Sequence, residues 1–162
     1  MLEKVGEENS LIEVKIGALI MDPNTNTPIV VLKGVESETV LPIWVGAFEA
    51  NAIALEIEKI VPQRPMTHDL LRNVIIECGL IASRVIVTDL QENTFYAVVE
   101  LRDAEGEIVS MDARPSDAIA LALRLDCPIY VEQKVLDLSA ASSQPADAPA
   151  GEQTDDWPEL IG

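Results

Sequence analysis

The chain of 162 residues is long enough for one domain with a single core, and its hydrophobic fraction of 48% indicates a folding sequence. Its net charge of −17, of which −10 lies within residues 11–138, argues against tight nonspecific binding to nucleic acid, because such a surface repels phosphate at long range. Salt screens that field beyond roughly 8 Å, so a small local anion site is still compatible with the composition.

The first half of the chain predicts three strands and then two helices. Alternating β-forming residues separated by short turns favour an antiparallel meander. An apolar stripe at helical spacing follows, which Pro62 and Pro65 would end, and a second helix would end at Gly79. The predicted strands are 11–20, 29–32 and 39–45, and the predicted helices are 47–61 and 67–78.

The second half predicts a hairpin, a further strand, a helix and a closing strand. The letters QEN between two β-rich segments are typical of a hairpin turn. The order βββ-αα-βββ-α-β predicts an α+β fold, a largely antiparallel mixed sheet with helices packed on one face. The predicted strands are 83–90, 94–102 and 107–113, the helix is 116–125, and residues 127–138 form a short strand and a final turn.

Composition divides the chain into a domain with two different ends. Residues 1–10 are predicted as a flexible N-terminus, 11–138 as the domain, and 139–162 as an acidic disordered tail rich in Ser, Ala, Gln and Pro. The terminal letters WPELIG (157–162) fit either an unstructured end or a short segment that docks back onto the domain or onto a protein partner, and we favour the unstructured end.

The cellular location is predicted from the signal and membrane-spanning segments that the sequence lacks and from its cysteines. No basic region followed by an apolar stretch opens the chain, and no apolar run is long enough to cross a bilayer. Cys78 and Cys127 lie far apart, which suits reduced thiols better than a disulfide framework. We therefore expect a cytoplasmic protein without a membrane partner.

Two predicted helices begin with similar letters, RPMTHD and RPSD. Thr67 and Ser116 would be good N-caps, each worth about 1 kcal/mol. Asp69 and Asp117 would lie near the positive end of a helix dipole. Helix initiation alone explains these four residues.

The two arginines that precede those prolines are not needed to start a helix. Arg64 and Arg114 could hold a phosphate together with Thr67, Ser116 and the backbone N–H groups of the helix start. Each could equally pair with a neighbouring carboxylate. The spacing does not decide between these interpretations.

His68 is the single histidine of the chain. Imidazole is the natural general acid or base near neutral pH, although a surface histidine at a helix start explains the spacing as well. Glu49, Asp69 and Asp117 are further catalytic candidates. A divalent cation, Mg²⁺ or Mn²⁺, could bind Asp69, Asp112 and Asp117, although such acids are more often solvated or capping.

Four segments resemble the bifunctional nuclease (BFN) domain family in order and spacing. The resemblance implies a compact α+β domain that self-associates, with a dimer as the first expectation, and an ability to cleave DNA and RNA. It supplies no settled catalytic set, and we place no chemistry on Phe48, Ala50 or Asn51. The segments are LPIWVGAFEANAIA (41–54), RPMTHDLL (64–71), DLQENTFYAVVELR (89–102) and DARPSDAIALALR (112–124), and the matching reactive positions are Glu49, Arg64, Thr67, His68, Asp69, Arg114, Ser116 and Asp117.

The sequence is therefore compatible with two functions, a nuclease and a non-enzymatic binding or regulatory module. In a nuclease, arginines at helix N-termini would hold the phosphate and His68 would transfer a proton. In a non-enzymatic binding or regulatory module, the same pocket would hold a small anionic ligand or a protein partner. The resemblance favours the nuclease, whereas the negative charge and the lack of basic–aromatic patches favour the module.

Overall fold

A computed structural model describes residues 10–142 of the chain, so the predicted flexible N-terminus, apart from residue 10, and nearly all of the predicted tail lie outside the described residues. The three N-terminal strands form the predicted antiparallel meander. They are β1 (Leu11–Asp22), β2 (Thr27–Gly34) and β3 (Val40–Trp44).

The later strands extend this meander into one seven-stranded sheet in the order β3-β2-β1-β7-β4-β5-β6. Strands β7 and β4 pair in parallel, and the other neighbours are antiparallel, so the sheet is mixed. The remaining strands are β4 (Ile81–Gln91), β5 (Thr94–Arg102), β6 (Ile108–Ala113) and β7 (Ile129–Glu132).

Helices cover one face of this sheet. Alternate strand residues such as Val85, Val99 and Val131 join one buried core with residues of the helices. The helices are α1 (Ala47–Ile57), α2 (Thr67–Glu77), α3 (Pro115–Leu125) and α4 (Gln133–Ala141). The α+β class with helices on one face is therefore confirmed.

Helix α3 is the centre of the helical layer. It packs on β4 and β5 and touches both α1 and α2, and most of its residues are buried. Helix α2 contributes less to the core than α3 does. Ile75 is its one buried residue. None of the helices within residues 10–142 is long and apolar enough to span a membrane.

Several predicted boundaries are wrong. Helix α1 ends at Ile57 rather than at residue 61, and Lys59 then adopts a positive φ of 57° before the prolines are reached. The predicted final turn is helix α4, which buries Val135 and ends at Ala141.

Both predicted N-caps are also wrong. Met66 and Arg114 occupy the N-cap positions, and neither Thr67 nor Ser116 caps its helix. At the start of α2 the backbone N–H of Met66 instead donates to Oδ2 of Asp69. Pro115 takes the first helical position, for which its fixed φ and missing N–H suit it, so Ser116 is drawn into the helix and buried. Thr67 is likewise the first residue of α2.

Candidate active site

The two similar helix starts meet in space. Nε2 of His68, in the first turn of α2, lies 2.9 Å from Oδ1 of Asp117, in the first turn of α3, although the residues are 49 positions apart. An ionised carboxylate only accepts hydrogen bonds, so Nε2 carries the hydrogen and the imidazole donates it. No hydrogen bond to Nδ1 occurs among residues 10–142, which leaves that atom available for proton transfer.

Arg114 extends this contact to a third helix. Its Nε donates to Oδ2 of Asp117 at 2.9 Å, and its Nη2 donates to Oε2 of Glu49 in α1 at 3.0 Å. The hydrogen bond to Asp117 is the largest effect on the guanidinium and keeps the pKa of Arg114 above its ordinary value, although burial opposes it. Nη1 has no hydrogen-bond partner among residues 10–142, and the side chain is 64% exposed.

Gly46 makes room for the glutamate of this cluster. It precedes α1, and a Cβ atom there would collide with Oε1 of Glu49. The absent side chain lets the Glu49 carboxylate fold back over the helix start, where it reaches Arg114. We call His68, Asp117, Arg114 and Glu49 the ionic cluster.

The ionic cluster lines an open trough of about 770 Å³ between the helices and strands β5 and β6. The volume is in the range of small-molecule sites. Apart from the cluster the lining is largely apolar, and several of its side chains are exposed although they are hydrophobic. Apolar lining residues include Phe48, Leu55, Leu71, Val74, Val99 and Met111.

The remaining predicted site residues are dispersed. Thr67 and Asp112 line the trough, whereas Arg64 is exposed and Ser116 is buried outside its lining. Asp69 points away from the ionic cluster and bonds the guanidinium of Arg124 at 2.8 Å. The predicted phosphate-binding and catalytic sets are therefore brought together in part.

The carboxylates predicted to bind a metal do not form a ligand set in this structure. Asp69 bonds Arg124, and Asp117 bonds His68 and Arg114. Within residues 10–142 no group of three or more His, Cys, Asp or Glu side chains is placed to hold a metal ion. In this structure Asp69 and Asp117 are thus engaged with cationic side chains and an imidazole rather than grouped as metal ligands.

Arg124 is the polar residue that the sequence reasoning missed. It lines the trough near the end of α3, and its side chain is only 4% exposed. The available signal was its spacing, because Arg124 follows Asp117 by two helical turns on an otherwise apolar helix. Phe48 and Asn51, on which no chemistry was placed, also line the trough.

Fold and site together define a small α+β protein with an imidazole–carboxylate–guanidinium cluster in an apolar trough. A family model described as the bifunctional nuclease domain matches residues 30–144. The chain belongs to the bifunctional nuclease domain family.

The chain is also similar to individual proteins from a bacterium and from rice. Uncharacterized protein Rv1829 of Mycobacterium tuberculosis (strain ATCC 25618 / H37Rv) is 43% identical over 124 residues, which cover 76% of this chain and 73% of the relative. Bifunctional nuclease 1 of Oryza sativa subsp. japonica and Bifunctional nuclease of Oryza minuta are each 28% identical over 101 residues, 61% of this chain and 30% of each relative.

Proposed function

We propose that this protein hydrolyses phosphodiester bonds of DNA and RNA at the ionic cluster. The observation that carries the proposal is the 2.9 Å contact between His68 and Asp117, which orients the one imidazole of the chain inside an open trough. Membership of the family and the similarity to rice proteins named bifunctional nucleases support it.

Each member of the ionic cluster has a role in this proposal. Asp117 holds the imidazole with hydrogen on Nε2, so Nδ1 of His68 accepts a proton from water or, once protonated, donates one to the leaving oxygen. Arg114 contributes the free donors on Nη1 to a phosphoryl oxygen, where charge stabilisation is the main requirement of phosphoryl transfer. Glu49 holds the other side of the guanidinium.

The charge of the cluster limits substrate affinity. Two carboxylates and one guanidinium sum to −1 while the imidazole is neutral, and the protein as a whole is strongly acidic. We therefore expect weak ground-state binding of nucleic acid, with stabilisation concentrated on the transition state.

The test is cleavage of single-stranded RNA and DNA by the purified full chain, with Mg²⁺, Mn²⁺ or EDTA, beside His68→Ala and Arg114→Ala. Loss of a general acid or base typically lowers a rate by about 10² to 10⁴-fold, so His68→Ala should lose nearly all cleavage. Arg102→Ala, which removes an exposed arginine at the end of β5, is the matched control and should cut at the wild-type rate. Equal cleavage by all four proteins would place the activity elsewhere or in a contaminant.

A binding or regulatory module remains the second candidate, because the trough is mostly apolar and the protein is acidic. In this function Arg114 would hold the anionic group of a ligand without bond cleavage. Absence of cleavage under every metal condition, combined with saturable phosphate binding that Arg114→Ala abolishes, would favour this candidate over the nuclease.

A further inference from the structure

Arg124 connects three helices from a buried position. Its Nε donates to Oδ1 of Asp69 in α2 at 2.8 Å, its Nη2 donates to the carbonyl of Ala52 in α1 at 2.9 Å, and its Nη1 donates to the carbonyl of Ala120 in its own helix at 3.0 Å. A guanidinium that is 4% exposed would be costly to bury without such partners. All three nitrogen atoms of its planar fork are thus satisfied.

The hydrogen bond from Arg124 to Asp69 holds the first turn of α2 in place. The rest of the helix has few other contacts that fix it to the sheet. Four large apolar residues of α2 are exposed, and its packing on the sheet is slight. Asp69 ties the helix start down twice, because Oδ1 accepts from Arg124 and Oδ2 accepts from the backbone N–H of Met66 at 2.9 Å. Burial raises the pKa of Asp69, but these hydrogen bonds outweigh it and hold the pKa below its ordinary value.

His68 is the neighbour of Asp69, so the two side chains of α2 that hydrogen-bond to α3 among residues 10–142 both lie in its first turn. Asp117 and Arg124 are two helical turns apart on α3, and each holds one member of this adjacent pair. The contact between His68 and Asp117 therefore has a second, more deeply buried contact beside it.

We propose that Arg124 is a positioning residue, which fixes the start of α2 through Asp69 and so holds the His68 imidazole against Asp117. Its catalytic relevance rests on the proposed function, whereas its effect on His68 does not. Lysine cannot take its place, because an ammonium group is a point charge that lacks the planar fork needed to reach three acceptors on three helices.

The test uses the fact that His68 is the only histidine. Diethylpyrocarbonate carbethoxylates neutral imidazole, and the ultraviolet absorbance of the product therefore reports this one residue. The rate of modification at fixed pH is measured for the full chain and for Arg124→Met, Arg124→Lys and Asp69→Asn. Asp117→Ala removes the hydrogen-bond partner of the imidazole directly. Its modification rate is the reference value for a His68 that nothing holds in place.

Arg84→Met is the matched control. Arg84 forms an ion pair with Glu100 at 2.7 Å between neighbouring strands. Arg84→Met therefore removes an arginine–carboxylate contact, as Arg124→Met does. It lies in β4 and does not line the trough. Urea unfolding of every variant establishes that the proteins compared are folded.

The modification rate should rise, by up to about tenfold, for Arg124→Met, Arg124→Lys and Asp69→Asn, close to Asp117→Ala, with Arg84→Met unchanged. The reason is that an imidazole released from Asp117 presents either ring nitrogen in many orientations, whereas the held ring presents only Nδ1 in one. Unchanged rates in folded Asp69→Asn and Arg124→Lys would overturn the proposal. An equal rise in Arg84→Met would also overturn it, because general loosening would then explain the effect. Asp69→Asn keeps the inference testable if Arg124→Met fails to fold.

Cleavage assays on the same proteins separate the two proposals. If the wild type does not cut but the modification rates rise as expected, the proposed function fails and the positioning role stands. If the wild type cuts and the folded Arg124 variants cut and react with diethylpyrocarbonate at wild-type rates, the positioning role fails alone. If both hold, the rate constant for cleavage should fall by about 10 to 100-fold, as misplacement of a reacting group by about 1 Å would cause.

Discussion

Arg114 is the exposed cation of the ionic cluster, and two carboxylates already neutralise much of its charge. Under the proposed function, this position would let an acidic protein offer a phosphate a local partner without a basic surface. The side chain does not have to leave these carboxylates to bind an anion, because Nη1 has no hydrogen-bond partner among residues 10–142. The strength of that binding should therefore depend on how firmly Glu49 holds Nη2.

Gly46→Ala tests this dependence without altering a charge. The new methyl group would displace the far end of the flexible Glu49 side chain, so we expect an unfolding free energy within about 1 kcal/mol of wild type. Affinity for inorganic phosphate should rise by up to about fivefold, since an exposed ion pair is worth about 1 kcal/mol or less. Titration by calorimetry or by the NMR shifts of the arginine side chains measures the change.

Gly17→Ala is the control for this prediction, because its methyl group would displace Lys33 on the neighbouring strand, outside the trough. It should leave phosphate affinity unchanged. Unaltered phosphate affinity in Gly46→Ala would mean that Glu49 does not limit the charge of Arg114.

The hairpin between β4 and β5 shows what local sequence can and cannot specify at the scale of an element. The letters QEN predict the turn correctly, and Glu92 and Asn93 occupy its two central positions. Both have positive φ angles, 52° and 65°, as a two-residue hairpin of the right twist requires. Asn tolerates this conformation, whereas Glu does so at a cost.

Glu92→Asn combined with Asn93→Gly should raise the free energy of unfolding by about 1 kcal/mol, because these residues adopt the left-handed conformation more readily. Urea denaturation measures the gain. Glu105→Asn removes the same charge from another turn and should give no comparable gain, since the residue lacks a positive φ. A loss of stability in the double variant would contradict this account of the turn.

At the scale of the whole molecule, both edge strands of the sheet expose apolar residues, and a proline on one of them indicates where copies of the chain would associate. Edge strand β6 is exposed along most of its length, and Val109 and Met111 are about half exposed. The opposite edge strand, β3, carries Pro42, which blunts an edge against pairing. Self-association, which the family resemblance led us to expect, would therefore involve β6 rather than β3.

Val109→Lys should weaken this self-association, because a lysine on an edge strand opposes pairing with another chain. Sedimentation velocity over a range of protein concentrations measures the oligomeric state. Val40→Lys places the same change on β3, where the valine is also about half exposed, and should have little effect. A monomeric wild type, or dissociation caused only by Val40→Lys, would show that β6 is not the interface.

Local patterns in the sequence determined the α+β class, the meander, the hairpin and both helix starts, because periodicity, proline and turn residues act over a few neighbours. The exact helix boundaries and caps were not determined in this way, since Pro115 displaced the expected cap at Ser116 and Val135 drew residues predicted as a turn into helix α4.

Only the tertiary structure decided the site. His68 and Asp117 meet because α2 packs against α3, and that packing brings together residues 49 positions apart. The same packing separates Asp69 from the cluster and gives Arg124 its three acceptors. A side chain's partners depend on which helix faces it, and the spacing of letters within one helix carries no information about the next.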